Sequence, residues 1–451
     1  MRLLPNAFII EDNDGFANDV FNRQPFGEAL SNILSRSNES LVISVDGPWG
    51  EGKSTFVKMW QGFLKEEKGI HSIYIDAFEN DYLDDAFISI VGAVTSYAEK
   101  HYENKGDGVK FRKAAGKVGL QLLSWSAKVA VKAASLGAIK EADIDALSEL
   151  KDELAGGASD AIAKFIENRI ADQEKEKETV ATFRRLLSEL PSKLDVSTSS
   201  RLVIIIDELD RCRPSYAVEV LEKIKHLFAV PNIAFVLVLN KLQLEEAIKC
   251  VYGANIDAHA YLQKFINIET NLPKRAEYGG GDDLAMYSNH LMAQHELNSL
   301  TERNDILESI NPLARNLGLS LRQMEKVFTN LTIIYSTLSA NNLRHAPAIC
   351  IISVLKVIAP SVYRSLCLKQ ANYDDVLSAL SLSVIKDNQD QYRLTSISDF
   401  LRFCLMSEEE FAQLGQNDPA QRFSSLMWNF NIERVNIIPY FCQSLQLIRF
   451  N

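Results

Sequence analysis

Lys53, Ser54 and Thr55 follow three closely spaced glycines in "GPWGEGKST", residues 47 to 55. An ammonium and a hydroxyl set directly behind glycines suit one chemistry, the holding of a phosphate chain. Glycines let successive backbone N–H groups curl around an anion, a lysine reaches the terminal phosphates, and a serine hydroxyl ligates Mg²⁺. Gly47, Gly52, Lys53 and Ser54 satisfy G-x-x-x-x-G-K-[ST], and Pro48, Trp49, Gly50, Glu51 and Thr55 complete the loop. A second set of chemical groups closes the run "RLVIIIDELDRCRP", residues 201 to 214. Asp207 is placed there to hold the metal with Ser54, and Glu208 to act as general base toward an attacking water. Asn240, at the end of "IAFVLVLN", is placed to polarise that water or touch the terminal phosphate, with a plain strand-end cap as the competing role.

These residues need rigid elements behind them. "SLVISV" before the loop reads as a buried parallel strand, and "KSTFVKMWQGFLKEE" after it places Phe56, Met59, Trp60 and Phe63 at helical spacing. The aliphatic runs 202–206 and 233–239 read as further buried strands. The pattern predicts an α/β fold with a parallel sheet and its ligand at the carboxyl edge of the strands.

The chain has 451 residues, 47% of them hydrophobic, and a net charge of −11. That length suggests roughly two or three domains, and the charge argues against nucleic-acid binding over the whole surface. The six cysteines are scattered without a C-x-x-C pair, which predicts buried or inert thiols in a reducing compartment. The opening "MRLLPNAFIIEDNDG" turns acidic too early for a secretory signal, so a cytoplasmic location is expected.

Taken together, "GPWGEGKST", "DELDRCRP", "PNIAFVLVLN" and "YLQKFINIETNLP" resemble the KAP family of P-loop NTPases. "DVFNRQPFGEALSNIL" (19–34) is similar to that family's leader helix, and "SIYIDAFENDYLDDAFISI" (72–90) to its second strand and the stretch that follows. The resemblance covers roughly residues 12 to 335. It implies an additional-strand P-loop fold, ATP as the nucleotide with Mg²⁺, and a helical lid after the sheet. "LGLSLRQMEKVFTNL" (317–331) looks like the lid's sensor helix, with Arg322 facing the terminal phosphate or simply lying on the surface. Arg211 and Arg213 follow the Walker B acids, as arginine fingers in cis or toward a neighbour, or as ion pairs to Asp210. The family often carries Asp where Asn240 stands. Many members also carry membrane spans between the two halves of the site.

In this chain that interval reads mostly as helix. The segment 116–139 has Lys117, Gln121, Ser124, Lys128, Lys132 and Ser135 on one face, with Val118, Leu122, Leu123, Trp125, Val129 and Leu136 on a broad apolar one. Packing on the protein's own helices, contact with a membrane surface, and a true span or nucleic-acid contact all stay open for it. "EYGGGDDL" (277–284) predicts a hinge before a mostly helical remainder. "AICIISVLKVIAPSVY" (348–363) reads as a buried helix, and the aromatic-rich last segment as core. The expected division is residues 1–100 and 201–276 for the two parts of the nucleotide core, 101–200 for a helical insert, and 277–451 for a helical lid and C-terminal domain.

The expected function is Mg²⁺-dependent ATP hydrolysis that drives the lid and partner or self-assembly, with a nucleotide-gated scaffold of little turnover as the alternative. Family analogy suggests bacterial anti-phage defence. A guanine switch is disfavoured because "NKLQ" places Gln243 where a guanine reader needs a carboxylate.

Overall fold

The computed structural model describes residues 1–4, 15–82, 85–102, 106–119, 177–194, 201–274, 282–339, 341–383, 390–415 and 417–446. Five parallel strands form its centre: β1 (Leu41–Asp46), β2 (His71–Asp76), β3 (Leu202–Asp207), β4 (Ile233–Leu239) and β5 (Ile268–Asn271). Their order across the sheet is β2-β3-β4-β1-β5. β4 therefore lies between the strand that feeds the glycine loop and the strand that ends in Asp207, which is the additional-strand arrangement the resemblance implies. Registers align the carboxyl ends, with Asp46 opposite Leu239, Asp207 opposite Val238, and Asp76 opposite Asp207.

Successive side chains of a strand face opposite ways, and each face here carries its own apolar layer. Ile43, Val45, Val203, Ile205, Val236 and Val238 meet α1 (Gln24–Arg36) and α2 (Lys53–Lys68) through Leu30, Leu34, Phe56, Trp60 and Phe63. Ile73, Ile75, Ile204, Ile206, Phe235 and Leu237 meet the helices Ala86–His101 and Pro214–Lys223 on the other face. The two helical flanks of the insert, 106–119 and 177–189, join that second layer. Phe111 and Phe183 are buried among Phe87 and Phe228, at ring separations of 5.7 to 5.8 Å. The expected amphipathic segment lies outside the described residues beyond Gly119, and so do Gly279, Gly280 and Gly281 of the expected hinge. Among the described residues no helix is long and apolar enough to cross a membrane.

From Asp282 onward a separate helical unit has its own core, built from helices that include Asp283–Gln294, Arg303–Leu317, Leu321–Thr337, Ala346–Ile358 and Ile437–Gln446. Gly318 ends one helix in the left-handed region, at φ 61°, and Ser320 opens the next with a capping box to Gln323. The apolar run 348–363 is buried only from Ala348 to Leu355; it is half-buried from Lys356, breaks at Ala359, and exposes Pro360 and Ser361. Two further expectations are corrected. Trp428 is 82% exposed and Phe430 is exposed as well, so the terminal aromatics are only partly core. Cys250 is exposed, while Cys212, Cys350, Cys404 and Cys442 are buried.

Candidate functional site

A cavity of about 360 Å³ opens at the carboxyl edge of the sheet, between the nucleotide-type core and the helical unit. Its floor is the glycine loop. Gly50 (φ +82°) and Gly52 (φ +79°) occupy the left-handed region that side chains disfavour, which explains two of the crowded glycines. Gly52 then serves as the N-cap of α2, so that helix begins with its free N–H groups at the loop. Gly50, Glu51, Gly52, Lys53, Ser54, Thr55 and Trp49 all line the cavity. Gly47 and Pro48 sit behind it, where the Pro48 carbonyl accepts from Lys53 Nζ at 3.0 Å and the Gly47 carbonyl accepts as well. Burial lowers the Lys53 pKa, opposed by Asp210, Asp207 and Asp46.

Asp207 comes up from β3 beside the loop and is only 1% exposed. Its carboxylate accepts from Tyr74 Oη at 2.9 Å and from the Glu208 N–H at 2.8 Å, and the Ser54 hydroxyl beside it lowers its pKa. Burial, with Asp76 alongside, raises its pKa despite those bonds. A buried carboxylate whose charge is disfavoured, touching a hydroxyl, is a hard oxygen pair that a small divalent cation would suit. Two side-chain oxygens are also what Mg²⁺ usually takes from protein when phosphates and water supply the rest. Among the described residues there is no larger cluster of potential metal ligands.

Glu208 stands at φ 59°, a left-handed turn that ends the strand and starts a 3₁₀ turn. Burial raises its pKa, opposed chiefly by Arg211, whose Nη1 donates to it at 2.9 Å. Asp210 accepts the Trp49 indole N–H at 2.5 Å, joining the loop to the Walker B turn. Arg213 pairs with Asp81, its Nε donating at 2.8 Å. Arg211 thus pairs with Glu208 and Arg213 with Asp81, whereas the ion-pair alternative to a finger role had named Asp210. Asn240 follows β4 and precedes the helix Lys241–Tyr252 without capping it through its side chain, and it does not line the cavity.

The helical unit closes the other side. Arg322 lies in the first turn of Leu321–Thr337, lines the cavity, and donates its backbone N–H to the Gly50 carbonyl at 3.3 Å. Its charge acts on Glu208. Sequence reasoning missed the remaining wall: Val20, Phe21 and Arg23 ahead of α1, and Tyr287, His290, Leu291, Gln294 and Glu325 from the helical unit. Tyr287 is stacked on His290 at 5.9 Å, packs against Phe21 at 5.6 Å, and donates to Glu325 Oε1 at 2.6 Å. The only signal for Arg23 was its place in "FNRQPFGEAL", just ahead of a Pro-led helix.

A strand–glycine-loop–helix unit, a second strand ending in Asp-Glu, and one intervening strand set the frame for comparison. The family model for the KAP family P-loop domain matches residues 23–338. The chain belongs to the KAP family of P-loop NTPases. Among characterised proteins it is 22% identical over 382 residues to the phage T7 exclusion protein of Escherichia coli (strain K12). That match takes in 80% of this chain and 48% of the relative, so the chain spans about half the relative's length. Among solved structures, the Aeropyrum pernix ORC2 protein is aligned over 97% of this chain and 98% of its own in its ADPNP-ADP complexes, at 11% identity and a TM-score of 0.36. The ADP form of that protein gives 12% identity and the same TM-score. Membership in the KAP family makes nucleotide binding the general expectation for this cavity.

Proposed function

We propose that this KAP-family chain binds ATP with Mg²⁺, hydrolyses it, and passes the nucleotide state to its helical unit and thereby to a protein partner or to further copies of itself. The supporting observation is that one cavity wall combines the glycine loop, the Asp207–Arg211 turn and Arg322 of the helical unit. In this reading residues 1–100 and 201–276 form the nucleotide core, 101–200 the insert, and 277–451 the responding unit. The loop from Gly47 to Thr55 seats the phosphates, with Lys53 turning from its loop carbonyls toward the terminal ones. Ser54 and Asp207 would hold Mg²⁺, which supplies charge neutralisation to the phosphates when bound. Glu208 accepts the proton of the attacking water, and the burial that raises its pKa makes it a stronger base than a free glutamate. Arg322 answers the charge on the terminal phosphate, and Asn240 would have to reach it from the end of β4. The apolar and aromatic lobe formed by Val20, Phe21, Tyr287 and Leu291 is the space left for the base and sugar.

The Arg211–Glu208 ion pair favours a second reading. A base held by a cation in its own chain is a weak base, so the chain would act as a nucleotide-gated scaffold with little turnover until a partner draws Arg211 away. Phage exclusion is carried over only from the name of a relative of which the match covers 48%, and is proposed on that ground alone. The test is phosphate release by the purified chain with Mg²⁺–ATP, with its mass measured in the same samples. Turnover that falls about 100-fold or more in Glu208→Gln supports the ATPase. Assembly with ATP but without turnover supports the scaffold, and neither assembly nor turnover sinks both.

A further inference from the structure

Asp207 is held from one strand away. In the register of β2 and β3, Tyr74 stands opposite Ile205 and Asp76 opposite Asp207. Side chains of a strand alternate between faces, so Tyr74 and Asp207 lie on the same face of the sheet, the one that α1 and α2 cover. They are diagonal neighbours, about 6.6 Å apart along the strands and about 4.8 Å across them. A serine or asparagine at 74 would end short of the carboxylate, but a tyrosine spans the diagonal. Its half-buried ring packs against the layer that holds Val203 and Ile205. Lys58 of α2 covers that ring, its Nζ 5.1 Å from the centroid, and Tyr74 Oη donates to Asp207 Oδ2 at 2.9 Å.

That bond fixes a carboxylate that would otherwise turn. The last torsion of an aspartate side chain is broad, with no sharp staggered well. Here Oδ1 accepts the Glu208 N–H at 2.8 Å while Oδ2 accepts the Tyr74 hydroxyl, so the two oxygens are tied from different directions. An ionised carboxylate offers about four lone-pair sites, which leaves room on both oxygens for a cation. Burial and the Asp207 charge push the Tyr74 pKa up, so its hydroxyl stays a donor through the neutral range. Tyr74 does not line the cavity, and its contact with the site runs through Asp207.

We propose that Tyr74 is a positioning residue for the metal: from β2 it fixes the rotation of the Asp207 carboxylate, and so pre-aims the oxygen that would share Mg²⁺ with Ser54. This role rests on the nucleotide reading above and deepens it. Groups that orient a metal-ligating side chain are worth about 10–100-fold in metal affinity. A phenylalanine at 74 would keep the packing under α2 and lose only the hydroxyl. Its effect therefore falls on the metal, while Lys53 and the glycine loop still seat the phosphates.

The experiment is titration calorimetry of ATPγS into the full chain, with excess Mg²⁺ and separately with EDTA, for the wild type, Tyr74→Phe, Asp207→Ala and the double variant. The wild type binds the Mg²⁺ complex more tightly than the free nucleotide. Tyr74→Phe loses about tenfold or more in affinity for the complex and keeps its affinity for free ATPγS. With Asp207→Ala in place, Tyr74→Phe costs nothing further, the non-additivity of a residue that acts through another. Wild-type affinity of Tyr74→Phe for the Mg²⁺ complex overturns the positioning role and leaves the nucleotide reading standing. An equal loss with and without Mg²⁺ does the same, because it marks the tyrosine as packing alone. A wild type indifferent to Mg²⁺ overturns the metal site, and one that binds ATPγS in neither condition overturns the nucleotide reading; either takes the positioning role with it.

Discussion

Gly50→Ala tests how closely the glycine loop is fitted to the helical unit. Gly50 sits at φ +82°, and a Cβ built on it would stand 3.0 Å from Arg322 Cβ and 3.2 Å from Ser320 Oγ. The left-handed backbone costs an alanine about 1–2 kcal/mol. The 3.0 Å contact is with an atom fixed to the helix backbone, so the helix start must retreat, straining the Arg322 N–H bond to the Gly50 carbonyl. A displacement of that kind adds about 1 kcal/mol or more, for a total of about 2–3 kcal/mol. At about 2–4 °C per kcal/mol, Gly50→Ala lowers Tm by about 4–12 °C in differential scanning fluorimetry. Gly47→Ala is the control, because its Cβ would meet only ordinary contacts of 3.6 Å and beyond and its φ is not positive. The reasoning fails if the two variants melt together, since Gly50 would then be neither strained nor pressed against Arg322.

Other consequences follow from the charges. Glu208 must be ionised to accept a proton, and burial raises its pKa while Arg211 holds it down. The acid limb of the hydrolysis rate should therefore lie above the ordinary glutamate range and move further up in Arg211→Gln; a limb that stays put, measured as kcat/KM against pH, contradicts the assignment. Asp207 also has a raised pKa, so its share of stability is present below its unfolded pKa and is lost as pH rises through the folded one. Asp207→Asn removes that charge penalty and should raise Tm at neutral pH while abolishing Mg²⁺-dependent turnover; a lower Tm refutes the burial argument. The neighbouring Cys442 thiol, and Tyr363 after it, bring the Cys367 pKa down to about 7 against the effect of burial. Its alkylation by iodoacetamide, followed by peptide mass, should rise with pH around neutrality and outpace that of buried Cys350 and Cys404, whose thiols burial pushes well up.

Much of the core was legible because its signals are local. Continuous aliphatic runs such as 202–206 can satisfy only a strand buried on both faces, and G-x-x-x-x-G-K-S between a strand and a helix leaves few alternatives. The glycines of the loop also carried their own explanation in the positive φ of Gly50 and Gly52. Strand order came through resemblance, because no local pattern says that β4 lies between β1 and β3. Arg23 escaped notice because its partner is the Glu51 carbonyl, distant in sequence and met only once the fold is assembled. Arg211 was read as a finger because it follows the Walker B acids, yet three residues of 3₁₀ turn bring it back onto Glu208. The leader helix starts at Gln24, later than its pattern suggested, because Asp19 takes up the N–H groups of residues 23 and 24. Trp428 shows the opposite failure, since an aromatic residue in a helical segment is usually core and here faces outward.

The most direct measurement is equilibrium binding of Mg²⁺–ATP to the full chain by titration calorimetry, repeated with Lys53→Ala. Saturable binding of one nucleotide per chain, weakened about tenfold or more in Lys53→Ala, is the predicted result. Binding that is absent at millimolar ATP, or the same in both proteins, would contradict the assignment of this cavity to a nucleoside triphosphate.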